Sequence, residues 1–171
     1  MRGCGEGGAD LKAMETKVHS DPCFARLPSQ DQLSLARLLG IEIDDDTFDV
    51  AAARVMDAVA PAVGYEPLEG SSERQREFAK SLGLNVIADS KRVASAKIGE
   101  ALFAMNQHAI ASLNLKPGDH VIRVEYFEYE GERRSVEQEF IVSSIQSNGR
   151  VFFKGGNGQS AWPTQLRKHA C

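Results

Sequence analysis

Four histidines, three cysteines and a run of acids are the side chains in this sequence with reactive chemistry to offer. His19, His108, His120 and His169 lie in four separate segments, and no HExxH, HxE-with-CxxC or GxSxG pattern is present. Metal and general-base chemistry need partners at fixed short spacings, so these histidines are expected to be unrelated surface or packing residues. Cys4, Cys23 and Cys171 form no CxxC pair. They are expected to be reduced thiols rather than a metal or disulfide framework. Asp44, Asp45 and Asp46 are consecutive, so they do not face one another as a catalytic carboxylate pair does. A calcium loop opening at Asp44 would need glycine in its sixth place and glutamate in its twelfth, where Asp49 and Val55 stand. Gly155, Gly156 and Gly158 are not followed by GK[ST], which argues against a phosphate-cradling loop. The expectation is therefore no catalytic residue, no metal site, no cofactor and no enzyme.

Binding chemistry remains. The net charge is −4, but it is unevenly spread. Residues 21–70 carry ten acids and three bases, and residues 71–113 carry four acids and six bases. Residues 146–171 carry Arg150, Lys154, Arg167 and Lys168 and no acid. A global attraction to nucleic acid is not expected, while a local basic face stays open. Lys91, Arg92, Lys97, Arg150, Lys154, Arg167 and Lys168 are the candidate phosphate contacts, with Trp162 as a stacking ring. The same Trp162 could instead anchor a partner protein. The acidic first half, with Asp44, Asp45, Asp46, Asp49 and Asp57, offers an opposite face to a basic partner.

These residues are carried by elements that repeat. Ser29-Gln30-Asp31-Gln32 corresponds to Ser72-Glu73-Arg74-Gln75, 43 residues on. Ala36 matches Ala79, Leu39-Gly40-Ile41 matches Leu82-Gly83-Leu84, and Val50-Ala51 matches Val93-Ala94 without a gap. Each unit reads as helix, turn, helix. Ser29 and Ser72, with Gln three residues on, have the capping-box pattern. Gly40 and Gly83 suit a left-handed helix exit. Asp46-Thr47 and Asp89-Ser90 are good caps for the second helices. The first copy is expected to stop at Pro61, and the second to reach Ile110. Two related hairpins packed together would close a four-helix core. A DNA-reading helix-turn-helix is disfavoured. Five residues, Ile41 to Asp45, separate Gly40 from the next cap, against a turn of about 3–4 residues in that motif.

From Leu115 the pattern turns to strands. Lys116-Pro117-Gly118-Asp119 is a turn, and His120 to Tyr129 is rich in Val, Ile, Tyr and Phe. Ser135 to Ile145 and Val151 to Phe153 follow, joined by Asn148-Gly149, both suited to positive φ. The run Leu115 to Val121, and the closing Gly158, Trp162, Pro163 and Leu166, resemble SH3-like barrels, including the KOW and Tudor types. The resemblance covers about a third of the chain and implies a small closed barrel with no particular ligand. In such a barrel Trp162, Phe152, Phe153, Tyr126 and Tyr129 would fill the core. Because Phe152 and Phe153 are adjacent, at least one must face away from it.

The expected class is α+β, a duplicated helical hairpin forming a four-helix unit, followed by an SH3-like β-barrel. Residues 1–23 are expected to be disordered, 24–113 to be the two repeats (24–66 and 67–113), and 114–171 the barrel. No apolar run approaches the ~20 residues that span a bilayer, and no apolar segment follows the N-terminus as in a signal peptide. A cytoplasmic chain with no membrane contact is expected. Two functions stay open: an adaptor for an unidentified protein partner, or an accessory protein that binds DNA or RNA.

Overall fold

The computed structural model describes residues 26–65 and 69–169. The expectation for residues 1–23 falls outside this range, as do Cys4, Cys23, Cys171 and His19. Helices α1 (Gln30–Leu39), α2 (Phe48–Val59), α3 (Glu73–Ser81) and α4 (Lys91–Leu113) come first. Strands β1 (His120–Tyr129), β2 (Glu132–Ile145), β3 (Val151–Phe153), β4 (Ser160–Ala161) and β5 (Leu166–Lys168) follow.

Local capping chemistry sets where the helices begin. Ser29 Oγ accepts the Gln32 amide at 3.2 Å, and Gln32 Oε1 accepts the Ser29 amide at 2.8 Å. At Ser72 and Gln75 the distances are 3.2 and 2.9 Å. Each glutamine also donates through Nε2 to the first carbonyl of the following helix, Phe48 or Lys91, at 2.9 Å in both cases. One side chain thus ties together the starts of two helices. Gly40 and Gly83 take φ of 67° and 75°, in the left-handed region that glycine tolerates best. Past them the chain closes with Ile41 N–H to the Ala36 carbonyl at 3.0 Å and Leu84 N–H to the Ala79 carbonyl at 2.9 Å.

The second helices meet expectation at Ser90 and depart from it in three other ways. Ser90 caps α4 by accepting the Val93 amide at 3.1 Å. Thr47 stands at the cap of α2 but makes no cap bond; its hydroxyl donates to Glu100 instead. Beyond Val59 a 3₁₀ turn, Ala60–Val63, accommodates Pro61, so the chain does not stop abruptly there. Helix α4 runs past Ile110 to Leu113 and is closed by Asn114 at φ 46°, before Pro117 is reached.

Apolar burial assembles the pairs. Ala36, Ile43, Ala51 and Val55 form one core, and Ala79, Val86, Ala94 and Ile98 form a second. Each member of the second lies 43 residues after its counterpart in the first. A third cluster, Val50, Ala53 and Val93 with Ala96, lies where α2 meets α4. Its small side chains let the two helices approach closely. Around it, the Thr47 hydroxyl donates to Glu100 on α4, and the Ser90 hydroxyl donates to Asp57 on α2. Shifting by 43 residues exchanges these two bonds, so α2 and α4 dock with near two-fold reciprocity.

The sheet is antiparallel, with strand order β4-β3-β2-β1-β5. Leu115, Val121, Val142, Val151, Phe153, Ala161 and Leu166 form its core, covered by Ile110 and Leu113 of α4. The sheet is not closed: among the described residues no pairing joins β4 to β5, so the expected barrel closure is not met. The two edge strands are short, with two and three residues, and leave little backbone to bridge the gap. Asn148-Gly149 also differs from the expected two-residue turn. Only Gly149 has positive φ, at 86°, while Asn148 Oδ1 accepts the Arg150 amide at 3.0 Å. A Cβ on Gly149 would lie 3.4 Å from Gln107 Nε2 and 3.5 Å from Asn106 Cβ. Close approach to α4 and backbone conformation therefore both favour glycine there. Two successive positive φ values occur instead at Glu130-Gly131, 53° and 76°, and at Asn157-Gly158, 46° and 84°.

Candidate interaction surface

Strand lengths decide what the sheet leaves exposed. Strand β5 pairs with β1 only over Val121 to Arg123, and β3 pairs with β2 only from Val142 onward. The ladder from Val124↔Glu137 to Tyr129↔Glu132 therefore extends beyond both neighbours as a two-stranded arm. Directly opposed residues share a face. One face carries Val136, Phe127, Arg134 and Tyr129, and the other carries Val124, Tyr126, Ser135 and Arg133. On the arm Tyr126 is 62%, Phe127 45%, Tyr129 50% and Val136 43% exposed. Tyr126 and Tyr129 are thus not core residues, contrary to the sequence expectation.

A lone hairpin is marginal in water, so the arm needs its own cross-strand contacts. Arg133 lies over the Tyr126 ring, 4.4 Å from its centroid, and Arg134 over Tyr129 at 4.8 Å. Such cation–ring contacts are worth about 0.5–1 kcal/mol at exposed sites. They stiffen the arm while leaving ring faces and backbone edges accessible.

The other candidate residues do not form one basic face. Lys91 pairs with Glu69 at 2.9 Å, Arg92 with Asp57 at 2.6 Å and Lys97 with Asp89 at 2.8 Å. Arg167 pairs with Glu137, and Lys168 with Asp119 at 2.9 Å. Arg150 and Trp162 do come together, the guanidinium 5.6 Å from the ring centroid. Arg150 Nε also donates to Ser160 Oγ at 2.7 Å. Trp162 is 38% exposed, and Lys154 is exposed with no ion pair among the described residues. Phe153 is buried in the core and Phe152 half-buried, as their adjacency requires. Among the described residues no group of three or more His, Cys, Asp or Glu could hold a metal ion. No described helix is long and apolar enough to cross a membrane.

Titratable groups converge at one cleft of about 280 Å3, lined by Asp46, Thr47, Lys97 and Glu100. They are used in bonds between elements. Arg54 holds Asp46 at 2.7 Å and reaches Asp89 at 3.9 Å. Burial pushes the Glu100 carboxyl above the usual carboxylate range; the Thr47 hydroxyl opposes this and the Asp49 charge adds to it. A raised acid binds its proton more tightly folded than unfolded. Stability on this account falls as pH rises from the ordinary value of 4.5 through the folded one. Glu100→Gln keeps an oxygen for Thr47 and removes the charge. Melting curves are expected to show the variant more stable than wild type at neutral pH, the gap closing on acidification. A pH-independent gap would contradict this.

No family model matches the chain, and neither does any curated protein or solved structure. The functional argument therefore rests on the arm and its surroundings. A groove of about 710 Å3 between α3 and α4, lined in part by Phe78, Ile98 and Gly99, gathers no comparable set of aromatic and unpaired backbone groups. The aromatic composition of β1 does not by itself place Tyr126 and Tyr129 on an exposed arm, but the sequence of β2 carries a signal. From Glu132 to Glu139 Val136 is the sole aliphatic residue, so neither face of that stretch can belong to a core.

Proposed function

We propose that this chain is a non-catalytic binding protein, an adaptor acting through protein–protein contacts, and that the β1–β2 arm makes the contact. The carrying observation is the exposure of Tyr126, Phe127 and Tyr129 on a ribbon whose neighbours stop short of it. Aromatic and arginine side chains dominate binding energy at protein interfaces. An unpaired strand edge adds a second mode, pairing with an extended segment of a partner. A cytoplasmic setting belongs to the same reading.

Two finer readings of the fold accompany it. The capping geometry, the glycine exits and the reciprocal bonds 43 residues apart support descent of the helical pairs from one duplicated hairpin. The strand order and the 3₁₀ turn Pro163–Gln165 before β5 support an SH3-like small-barrel ancestry with an open seam.

Nucleic-acid binding is the second reading, favoured by Arg150 over Trp162 with Lys154 unpaired nearby in sequence. It ranks below the first because the other five basic candidates already have acid partners, with which phosphate would have to compete. A photo-crosslinking amino acid placed at Phe127, with Ile87 as exposed control, separates the readings. The adaptor reading expects a polypeptide adduct at 127, none at 87, and no binding of labelled oligonucleotides at low salt. Oligonucleotide binding that weakens with salt and disappears in Arg150→Glu and Lys154→Glu would contradict it.

A further inference from the structure

The outer edge of β2 points to a specific partner for the arm. Lys154 N–H donates to the Ile141 carbonyl at 2.8 Å, so Ile141 directs its backbone away from β1. Along an antiparallel strand, alternate residues direct their N–H and C=O groups to the same side. Glu139, Glu137, Ser135 and Arg133 therefore also face outward. Among the described residues no strand pairs with that edge before Val142. The segment contains no proline and no recorded bulge up to Val142, two devices that commonly blunt an open edge.

Its charges are placed instead in opposite halves. Arg133 and Arg134 precede Val136, and Glu137 and Glu139 follow it. A second copy of the same edge, running antiparallel, brings the basic half of each chain against the acidic half of the other. We infer that the chain self-associates in this way, the outer edges of two β2 strands pairing about a two-fold axis through Val136. This rests on the reading of the arm as the contact element and names its partner as a second copy of the chain.

Charges and existing ion pairs select the register: an axis at Ser135 would set Arg133 opposite Glu137, a carboxylate that Arg167 already holds. With the axis at Val136, Arg133 lies opposite Glu139 twice, Ser135 opposite Glu137, Arg134 opposite Gln138, and Val136 opposite itself. Outward-facing residues then oppose outward-facing residues, as the ladder requires. Moving the axis to Arg134 or to Glu137 sets like charges directly opposite, which disfavours the ladder. The Glu139 side chain is 73% exposed, so it is accessible to a second chain while its contact to His169 lies at 3.5 Å. Pairing also withdraws Val136, 43% exposed, from water in both copies.

Sedimentation of the full chain over a range of concentrations tests this. Wild type is expected to reach a dimer. Arg133→Glu alone and Glu139→Arg alone are each expected to weaken it at least tenfold, because each sets like charges opposite at two places. Arg133→Glu with Glu139→Arg restores opposite charges at both and is expected to recover the dimer. Since the double variant must fold to do so, recovery also excludes a general loss of structure. A monomer at every concentration overturns the inference, as does a dimer indifferent to the single reversals. A monomeric chain that still crosslinks a different polypeptide at Phe127 overturns self-pairing and leaves the adaptor reading standing.

Discussion

Replacing Phe153 with alanine is expected to lower stability by about 3–5 kcal/mol, among the largest losses for a single truncation in this chain. Phe153 is 6% exposed and stacks on Phe140, with ring centroids 4.2 Å apart and planes 13° apart. Around it lie Val121, Val142, Val151 and Leu166, branched side chains fixed on four different strands. They cannot all move inward to refill the space, so the cavity term adds to the lost burial. Strand β3 has only three residues, and its middle residue, Phe152, is half-buried, so the anchoring of that strand depends heavily on Phe153. The melting temperature should fall by on the order of 10 °C. A fall of only a degree or two would show that the sheet core can collapse around the gap.

Val93→Asp should be more severe, on the order of 4 kcal/mol or more, by a different route. Val93 is 3% exposed and meets Val50, Ala53 and Ala96 at the crossing of α2 and α4. A carboxylate there has apolar neighbours, and the nearby hydroxyls of Thr47 and Ser90 are already used on Glu100 and Asp57. The two helical pairs should therefore separate before either unfolds. Hydrogen exchange would register this as lost protection in α2 and α4 while the sheet amides stay slow. Val50→Asp, 43 residues earlier in the same cluster, should give a matching loss. Unequal losses would contradict the reciprocity of the docking.

Much of the helical half was legible because its signals are local. Ser29 and Ser72 with their glutamines, and Gly40 and Gly83 at the exits, each act within a few residues of backbone. The end of α4 was misplaced because Asn114 is a weaker stop signal than glycine and Pro117 a more visible one. The Thr47–Glu100 and Ser90–Asp57 bonds were not foreseen, since they form only when two distant helices dock. Acids 43 residues apart, Asp57 and Glu100, were the available hint. In the strand half, composition identified strands but not which strands would be long. That length difference leaves Tyr126 and Tyr129 on an exposed arm rather than in a core. The basic candidates failed to converge because sequence shows charges without their partners. Lys91 and Lys97 are answered by Glu69 and Asp89, acids 22 and 8 residues away in the chain.

The arm is the element on which the functional account turns. Hydrogen exchange of the full chain, followed as its crosslinked partner or further copies of itself are added, reads it directly. Protection is expected to rise at the outward amides of 133–139, with 150–162 unchanged. Protection confined to the surroundings of Arg150 and Trp162, with the arm exchanging as before, would contradict the account.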